Sequence, residues 1–457
     1  MSQDSARDSH APQDATAGTS ADNRSGRSAA GGGEAGCGGE PGDGESTDDA
    51  SPCGGVAADE AGGGAGVSPG DAARHRRRLV AALRRDGLVR SAAVAAAFDA
   101  VPRELFAPSG TPVDAAYADR VAVLAADAAG VPTSTLSQPS IVAIMLEQLD
   151  VRPGHRVLEI GTGSGYNTAL LAELAGAGGR VTSVELDPGL VASAAARLAE
   201  LGPGDGTPMD LRRGDGWRGS ADGAPYDRIH ATVGVDDIAP TWRTQLADGG
   251  LLVAPLWLRP GLELSVALRR DGSVLRSVSV ARCGFLQLRG PHAAGPHARP
   301  LSAGATGLWV VGEALSGADT ETIGLLAGRK GMAAGPVPDL TDRRWWALTL
   351  SEPRTVLFTD AHGAPAAWGA YDAGRAGLVI AIDGWLTSHG DPGVADDVMS
   401  RLADCPDVDP TGLEISAYPT GSPLPRRPSR GATWRIIRRD HTYRIHWNPD
   451  RASGRDR

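Results

Sequence analysis

Glycines and carboxylates in a fixed register carry the first chemical signal in this sequence. Val157-Leu158-Glu159-Ile160 reads as a buried strand that runs into Gly161-x-Gly163-x-Gly165 and then a helix. Glycines at such a turn let the backbone bend sharply and lie against a ligand at the helix N-terminus. A carboxylate, Glu185, closes the next strand pattern 24 residues after Gly161, where it can accept two ribose hydroxyls. Gly214-Asp215-Gly216 ends a third strand pattern, 30 residues on from Glu185 to Asp215, where an acidic side chain can meet an adenine amino group. A dinucleotide fingerprint would have G-x-G-x-x-G, whereas this turn is G-x-G-x-G preceded by Glu159. Taken singly, Glu185 reads as a solvated strand end and Asp215 as a cap for the segment after it. Their shared register favours an S-adenosylmethionine site over a nicotinamide site.

The elements that must hold these residues follow from periodicity. Between His75 and Val101 apolar residues recur at helical spacing, interrupted by Asp86-Gly87, which predicts two short helices. Ile141 to Leu149 predicts another helix, ended by Pro153-Gly154. From HRVLEIG through RVTSVEL, MDLRRGD, YDRIHATV and GGLLVAPL, strand patterns alternate with helical ones, the order of a parallel sheet with crossover helices. The run GPHAAGPHARP reads as a connector. Beyond it LWVVG, WWALTL, RTVLF, GLVIAI, LEISAYP and TWRIIRR predict short strands, with a helix near Asp396 to Leu402. The expected fold is therefore α/β, Rossmann-like, with a C-terminal α+β domain. Its expected divisions are a tail over 1–72, a cofactor domain over 73–292 and a second domain over 300–450.

Composition narrows the partners. Positions 1–70 hold 12 Asp or Glu, 3 Arg and 17 Gly, and so carry nine of the ten excess negative charges of the 457-residue chain. So little apolar surface does not offset ordering entropy, which predicts a disordered acidic tail. The remaining 387 residues sit near −1, with no net basic field to advertise nucleic acid. No stretch approaches the roughly 18 unbroken apolar residues of a membrane span, and no signal-peptide pattern opens the chain, so a cytoplasmic protein is expected. Cys37, Cys53, Cys283 and Cys405 are widely separated, which predicts neither a disulfide framework nor a metal site. A monomer is the expected state.

From about residue 75 to 260 the chain resembles the protein-L-isoaspartate O-methyltransferases. The resemblance rests on AFDAVPRELFAP (Ala97 to Pro108), AYADR (Ala116 to Arg120), TLSQPSIVAIMLEQL (Thr135 to Leu149), EIGTGSGY, VELD, GDG and YDRI, in collinear order. It implies methyl transfer from S-adenosylmethionine to a peptide side-chain carboxylate. It further implies cofactor contacts from Thr135, Leu136, Glu159, Gly161, Gly163, Gly165, Glu185, Leu186, Asp215 and Gly216, with Ser137 beside the transferred methyl. Gln138 is expected to be a second donor to the substrate carboxylate, and Thr232, after YDRIHA, to face the site. Read without the resemblance, Ser137 is an N-cap for the helix beginning near Ile141, and His230 a packed strand residue.

One departure is informative. Where the family has S-A-P-H, this chain reads Ser137-Gln138-Pro139-Ser140, so the family histidine is a serine. The S-Q-P-S form, the acidic tail and about 160 further C-terminal residues are also similar to a branch found in actinobacterial clusters for ribosomally made peptides of the lanthipeptide or graspetide type. That branch esterifies an aspartate of a modified precursor, and the ester collapses to an aspartimide. A carboxylate is already ionised at neutral pH, so either reaction asks for positioning and desolvation rather than a strong base. The sequence reading thus expects an aspartyl O-methyltransferase acting on a modified precursor peptide. Its alternatives are a general isoaspartyl repair enzyme, a small-molecule methyltransferase and a peptide-binding protein without turnover.

Overall fold

The computed structural model describes residues 69–449 apart from 129, 203–205, 294–297, 302–306, 314 and 361–364. The tail expected over 1–72 lies outside the described residues up to position 68. From Pro69 the chain is helical. Helices α1 (Pro69–Arg85), α2 (Ala92–Ala100) and the single turn α3 (Val113–Ala116) precede a hairpin of β1 (Ala122–Ala126) and β2 (Pro132–Leu136). The alternating region then delivers α4 (Pro139–Leu149), β3 (Arg156–Ile160), α5 (Tyr166–Ala175), β4 (Arg180–Glu185), α6 (Pro188–Leu201), β5 (Met209–Arg213), β6 (Tyr226–Ala231) and α7 (Pro240–Gln245). Three long strands follow, β7 (Leu246–Arg259), β8 (Leu262–Asp271) and β9 (Val274–Arg282).

β3, β4, β5, β6 and β7 pair in parallel in the order β5-β4-β3-β6-β7. Connections from β3 run outward in both directions, so the switch point lies between β3 and β6, where a doubly wound sheet opens its ligand crevice. Apolar side chains leave both faces of the sheet. On one, Val157, Val181 and Val253 meet Phe98, Leu146 and Leu170 of α2, α4 and α5. On the other, Leu158, Ile160 and Ile229 meet Trp242 of α7. Each such fully buried side chain contributes about 1.5–3 kcal/mol through area removed from water.

The second half holds β10 (Ala298–Pro300), β11 (Trp309–Gly312), α8 (Gly317–Ala327), β12 (Met332–Pro336), α9 (Arg344–Ser351), β13 (Thr355–Thr359), β14 (Pro365–Asp372), β15 (Gly377–Ile382), β16 (Trp385–His389) and α10 (Gly393–Ala403). Their strands form a seven-stranded sheet ordered β10-β11-β13-β14-β15-β16-β12. The last strands, β17 (Leu413–Pro419), β18 (Ala432–Ile437) and β19 (His441–Trp447), join the first sheet instead. They extend it beyond β9 as β9-β17-β19-β18, for ten strands in all. The boundary between the sheets therefore does not coincide with one cut in the sequence near residue 300.

WWALTL is a helix, not the strand its apolar run suggested. Asp342 accepts from the Arg344 N–H at 2.9 Å and starts α9. Trp345 and Leu348, three residues apart, then face one core with Trp345 against Trp368 at 4.8 Å, while Ala347 and Leu350 face the other. No helix among the described residues is long and apolar enough to cross a membrane.

Candidate active site

Three strand ends are stitched into one rim by backbone hydrogen bonds. Gly161 N–H donates to Val184 O at 2.8 Å, Gly214 N–H to Glu185 O at 2.8 Å, and Thr232 N–H to Ile160 O at 2.9 Å. The glycine turn, Glu185, Asp215 and Thr232 are thereby neighbours at the carboxyl edge of the sheet. Gly161 has φ +94°, and a Cβ there would stand 2.7 Å from Thr232 Oγ1. No other residue suits both the conformation and the space. The Thr232 hydroxyl donates to Ile160 O at 3.0 Å and Gly161 O at 2.6 Å, so it braces the turn. Gly165, at φ +89°, opens α5 against Ala194 and Leu198.

Glu185 lies 8% exposed under that turn. One carboxylate oxygen accepts from Gly163 N–H at 3.1 Å and the other from Asp187 N–H at 3.1 Å. A carboxylate has about four acceptor sites, so capacity remains for ligand hydroxyls.

Glu159 is placed differently from the expectation. It is fully buried on the face covered by α5, where its carboxylate accepts from Asn167 Nδ2 at 2.8 Å, Ser183 Oγ at 2.6 Å and the Thr168 hydroxyl. It meets the glycine turn from beneath and not from the ligand side, because its position in β3 pairs with His230 of β6 across the helix-covered face. Burial pushes its carboxyl up to about 7, against the pull of those three donors. Burial likewise pushes His230 down to about 3. Asn167 Nδ2 reaches His230 Nδ1 at 2.9 Å, and His230 Nε2 has no hydrogen-bond partner among the described residues.

At the other end of the rim, Asp215 Oδ1 accepts from Trp217 N–H at 3.0 Å and Oδ2 contacts His292 Nδ1 at 2.7 Å. His292 comes from the GPHAAGPHARP run and lies parallel to Trp217, with centroids 6.0 Å apart and planes 4° apart. Arg439, from the turn between β18 and β19, covers Trp217 at 4.9 Å. Gly290 stands over Leu186 and Asp215, a Cβ on it reaching each at 3.6 Å. Gly216 packs on Ile160, which leaves no room for a side chain. Sequence reasoning missed His292, Trp217 and Arg439. The histidine sat in a Gly/Pro-rich run read only as a connector, and nothing local ties Arg439 to a residue more than 200 positions earlier.

The acceptor side is built by the turn from β2 into α4. Thr135 borders the glycine turn, its carbonyl 3.8 Å from where a Gly163 Cβ would stand, while Leu136 is 2% exposed and belongs to the core. Gln138 is the N-cap residue of α4 and gives no side-chain cap, so Ser137 is not its N-cap. Asp119 does that work from a distance, accepting from Ser140 N–H at 2.8 Å and from Gln138 Nε2 at 3.0 Å. The Gln138 amide is thus already engaged. Ser137 O accepts from buried Arg103 at 2.7 Å, and the same guanidinium donates to Ala116 O at 2.8 Å and lies 5.0 Å over the Tyr166 ring. Arg103 therefore ties the Ser137 turn to the residue that follows Gly165.

Residues 74–290 match the family model described as Protein-L-isoaspartate(D-aspartate) O-methyltransferase (PCMT). Over 217 residues the chain is 39% identical to the protein-L-isoaspartate O-methyltransferase of Methanopyrus kandleri, covering 48% of this chain and 92% of that protein. The chain belongs to the protein-L-isoaspartate O-methyltransferase family. Protein-L-isoaspartate O-methyltransferase 1 of Rhodopseudomonas palustris is 41% identical over 214 residues, 46% of this chain and 79% of that protein. A solved protein-L-isoaspartate O-methyltransferase structure shares 26% identity at a TM-score of 0.45, covering 75% of this chain and 96% of its own.

This methyltransferase is accordingly an S-adenosylmethionine-dependent carboxyl O-methyltransferase with a Rossmann-like fold. The residues present fit that cofactor. The turn at Gly161 and Gly163 carries no side chain, Glu185 keeps acceptor capacity beside it, and Asp215 and Leu186 offer one acceptor and one apolar wall further along the rim.

Proposed function

We propose that this methyltransferase esterifies an aspartate side chain of a modified ribosomal peptide, and that the ester closes to an aspartimide or its isoaspartate product. The observation that carries the reading is the share of the chain beyond the family match. An alignment covering 92% of the Methanopyrus relative uses only 48% of this chain. The remainder contains a whole second sheet and three strands added to the first. Methylating any accessible isoaspartyl residue requires no such addition. In this reading residues 73–292 carry the chemistry and 300–450 recognise the peptide, with β17 to β19 serving both.

When bound, S-adenosylmethionine supplies a methyl group on a sulfonium, electrophilic enough to need no acid catalyst. Glu185 and Asp215 hold the nucleoside, with Leu186, Thr135 and the backbone at Gly161, Gly163 and Gly216 closing around it. Ser137 donates from its hydroxyl to one oxygen of the substrate carboxylate and aims the other. Arg103 positions that serine through its carbonyl, and Asp119 keeps Gln138 drawn back. Thr232 keeps the glycine turn in place. Once the ester has formed, the following backbone amide attacks its carbonyl and methanol leaves, so the aspartimide is one water lighter than the starting peptide, and opening to isoaspartate returns that water.

The test compares initial methylation rates on a cyclised Asp-containing precursor, its linear form and an unrelated linear isoaspartyl peptide. A strong preference for the cyclised peptide, with loss of one water, is expected. Equal rates on all three would return the enzyme to general isoaspartyl repair, the activity that family membership supports by itself.

A further inference from the structure

We infer that an arginine-lined cleft on the β18–β19 hairpin binds a run of carboxylates on the substrate peptide, away from the residue that is methylated. The inference rests on the peptide-substrate reading above and adds the chemistry of the recognised segment. The cleft encloses about 540 Å³ between Leu350 of α9, the segment 424–427 and the hairpin, and its charged lining is Arg427, Arg435 and Arg444. Among the described residues no acidic side chain lines it.

Arg435 and Arg444 stand directly opposite each other in the β18–β19 ladder. Like charges so placed destabilise a strand pair. Among the described residues neither they nor Arg427 has an ion-pair partner, and Arg444 Nε is buried with no hydrogen bond. Other buried or half-buried arginines of this half of the chain are neutralised by carboxylates. Arg438, on the same hairpin, pairs with Glu313, and Arg354 pairs with Glu352 at 2.7 Å and Asp372 at 3.0 Å. Three like charges around one concave space, one of them with a buried unpartnered Nε, favour a ligand carboxylate, since the guanidinium fork matches a carboxylate with two parallel hydrogen bonds. Trp434 adds an aromatic wall, suited to the apolar stems between successive acidic side chains. A peptide is favoured over a polynucleotide because the family's reaction already brings a carboxylate-bearing polypeptide to this chain.

The probe is a fluorescein-labelled hexaglutamate peptide, followed by anisotropy at low and high salt, with hexaglutamine and a six-residue oligothymidylate as controls. Hexaglutamate is expected to bind in a salt-sensitive manner. The double variant Arg427→Glu/Arg435→Glu, at two exposed positions, should lose about tenfold or more in affinity, with melting temperature and S-adenosylmethionine affinity unchanged. Should that variant fold poorly, Arg427→Gln alone, outside the strand ladder, should still weaken the probe. In turnover, an isoaspartyl peptide extended by six glutamates should show a lower KM than the unextended peptide at equal kcat, and the double variant should erase the difference. Equal KM for the two peptides in the parent enzyme, or tighter binding of the oligothymidylate, would overturn the inference. Absence of any hexaglutamate binding would do so too, leaving the arginines as charges that keep an edge strand from pairing. The anisotropy arm involves no acceptor residue, so its outcome does not depend on whether an ordinary aspartate in a cyclised peptide is the natural substrate.

Discussion

Glu159 and His230 are adjacent on buried strands, and their titrations oppose each other. Glu159 has a folded value near 7, above its ordinary 4.5, so the folded state holds more protons than the unfolded one between those limits. Stability from that group is fully present below about 4.5 and falls as pH rises toward 7, by about 3 kcal/mol. His230 has a folded value near 3, below its ordinary 6.5, so its contribution is present above 6.5 and falls as pH drops toward 3. The two slopes nearly cancel between about 4.5 and 6.5. Removing either should expose the other. Glu159→Gln should make the melting temperature climb with pH up to about 6.5, and His230→Gln should make it fall from about 4.5 to 7. Flat profiles in both variants would contradict this account.

At the ligand face, Glu185→Ala should weaken S-adenosylmethionine binding by about 1–3 kcal/mol in calorimetry, because it strands charge-assisted partners. Asp215→Ala should cost less, since Asp215 is expected to meet a single amino group. Ser137→Ala should slow methyl transfer and leave cofactor affinity nearly unchanged, because its bond orients the nucleophile. A lower melting temperature with an unaltered rate would make Ser137 a structural residue. The glycine turn, Glu185 and Asp215 were legible because strand, turn and carboxylate occur in one local order. The facing of Glu159 was not, because Val157 to Ile160 is buried on both sides and its pattern does not say which face meets the ligand.

Among elements, the β18–β19 hairpin is held by a buried polar knot. Asp237, on the loop after β6, accepts from Tyr443 Oη at 2.8 Å, from the Asp440 N–H at 2.7 Å and from the His441 ring at 3.1 Å. Breaking it leaves several buried donors unpaired, so Asp237→Ala should cost about 3 kcal/mol or more, read as a shift in the urea midpoint. Asp237→Asn should recover part of that loss, since its oxygen still accepts. Nothing in the sequence announces this knot, whose members lie more than 200 residues apart. Sequence membership of β17 was equally hidden. LEISAYP reads as a strand, but its pairing with β9, including Ile415 N–H to Ser277 Oγ at 2.8 Å, depends on residues 138 positions away. Trp345 and Trp368 are buried together, whereas Trp385 is 54% exposed.

For the whole molecule, the ten-stranded sheet means that the C-terminal half does not detach at a hinge. Ending the chain near residue 300 would strip β17 from β9 and expose the faces of Leu275 and Val280 that Ile415 and Ala417 help to cover. Such a truncation should aggregate or unfold in size-exclusion chromatography and circular dichroism, rather than survive as a smaller methyltransferase. A monodisperse, cooperatively melting fragment would show that the added strands are dispensable to the core. Substrate preference is therefore better probed by point changes in the arginine cleft than by deletion.

The stack of Arg439 on Trp217, Trp217 beside His292 and His292 on Asp215 joins a C-terminal hairpin, a connector and the carboxylate after β5 in one column. If Asp215 holds the nucleoside and the arginine cleft holds the peptide, as proposed above, linkage makes such a column reciprocal: whatever the cofactor adds to the stability of the folded arrangement, it adds to the hairpin's grip as well, and a peptide that steadies the hairpin tightens the cofactor by the same factor. Loading one substrate thus prepares the molecule for the other. On that reading spent cofactor and finished peptide are released from a shared equilibrium.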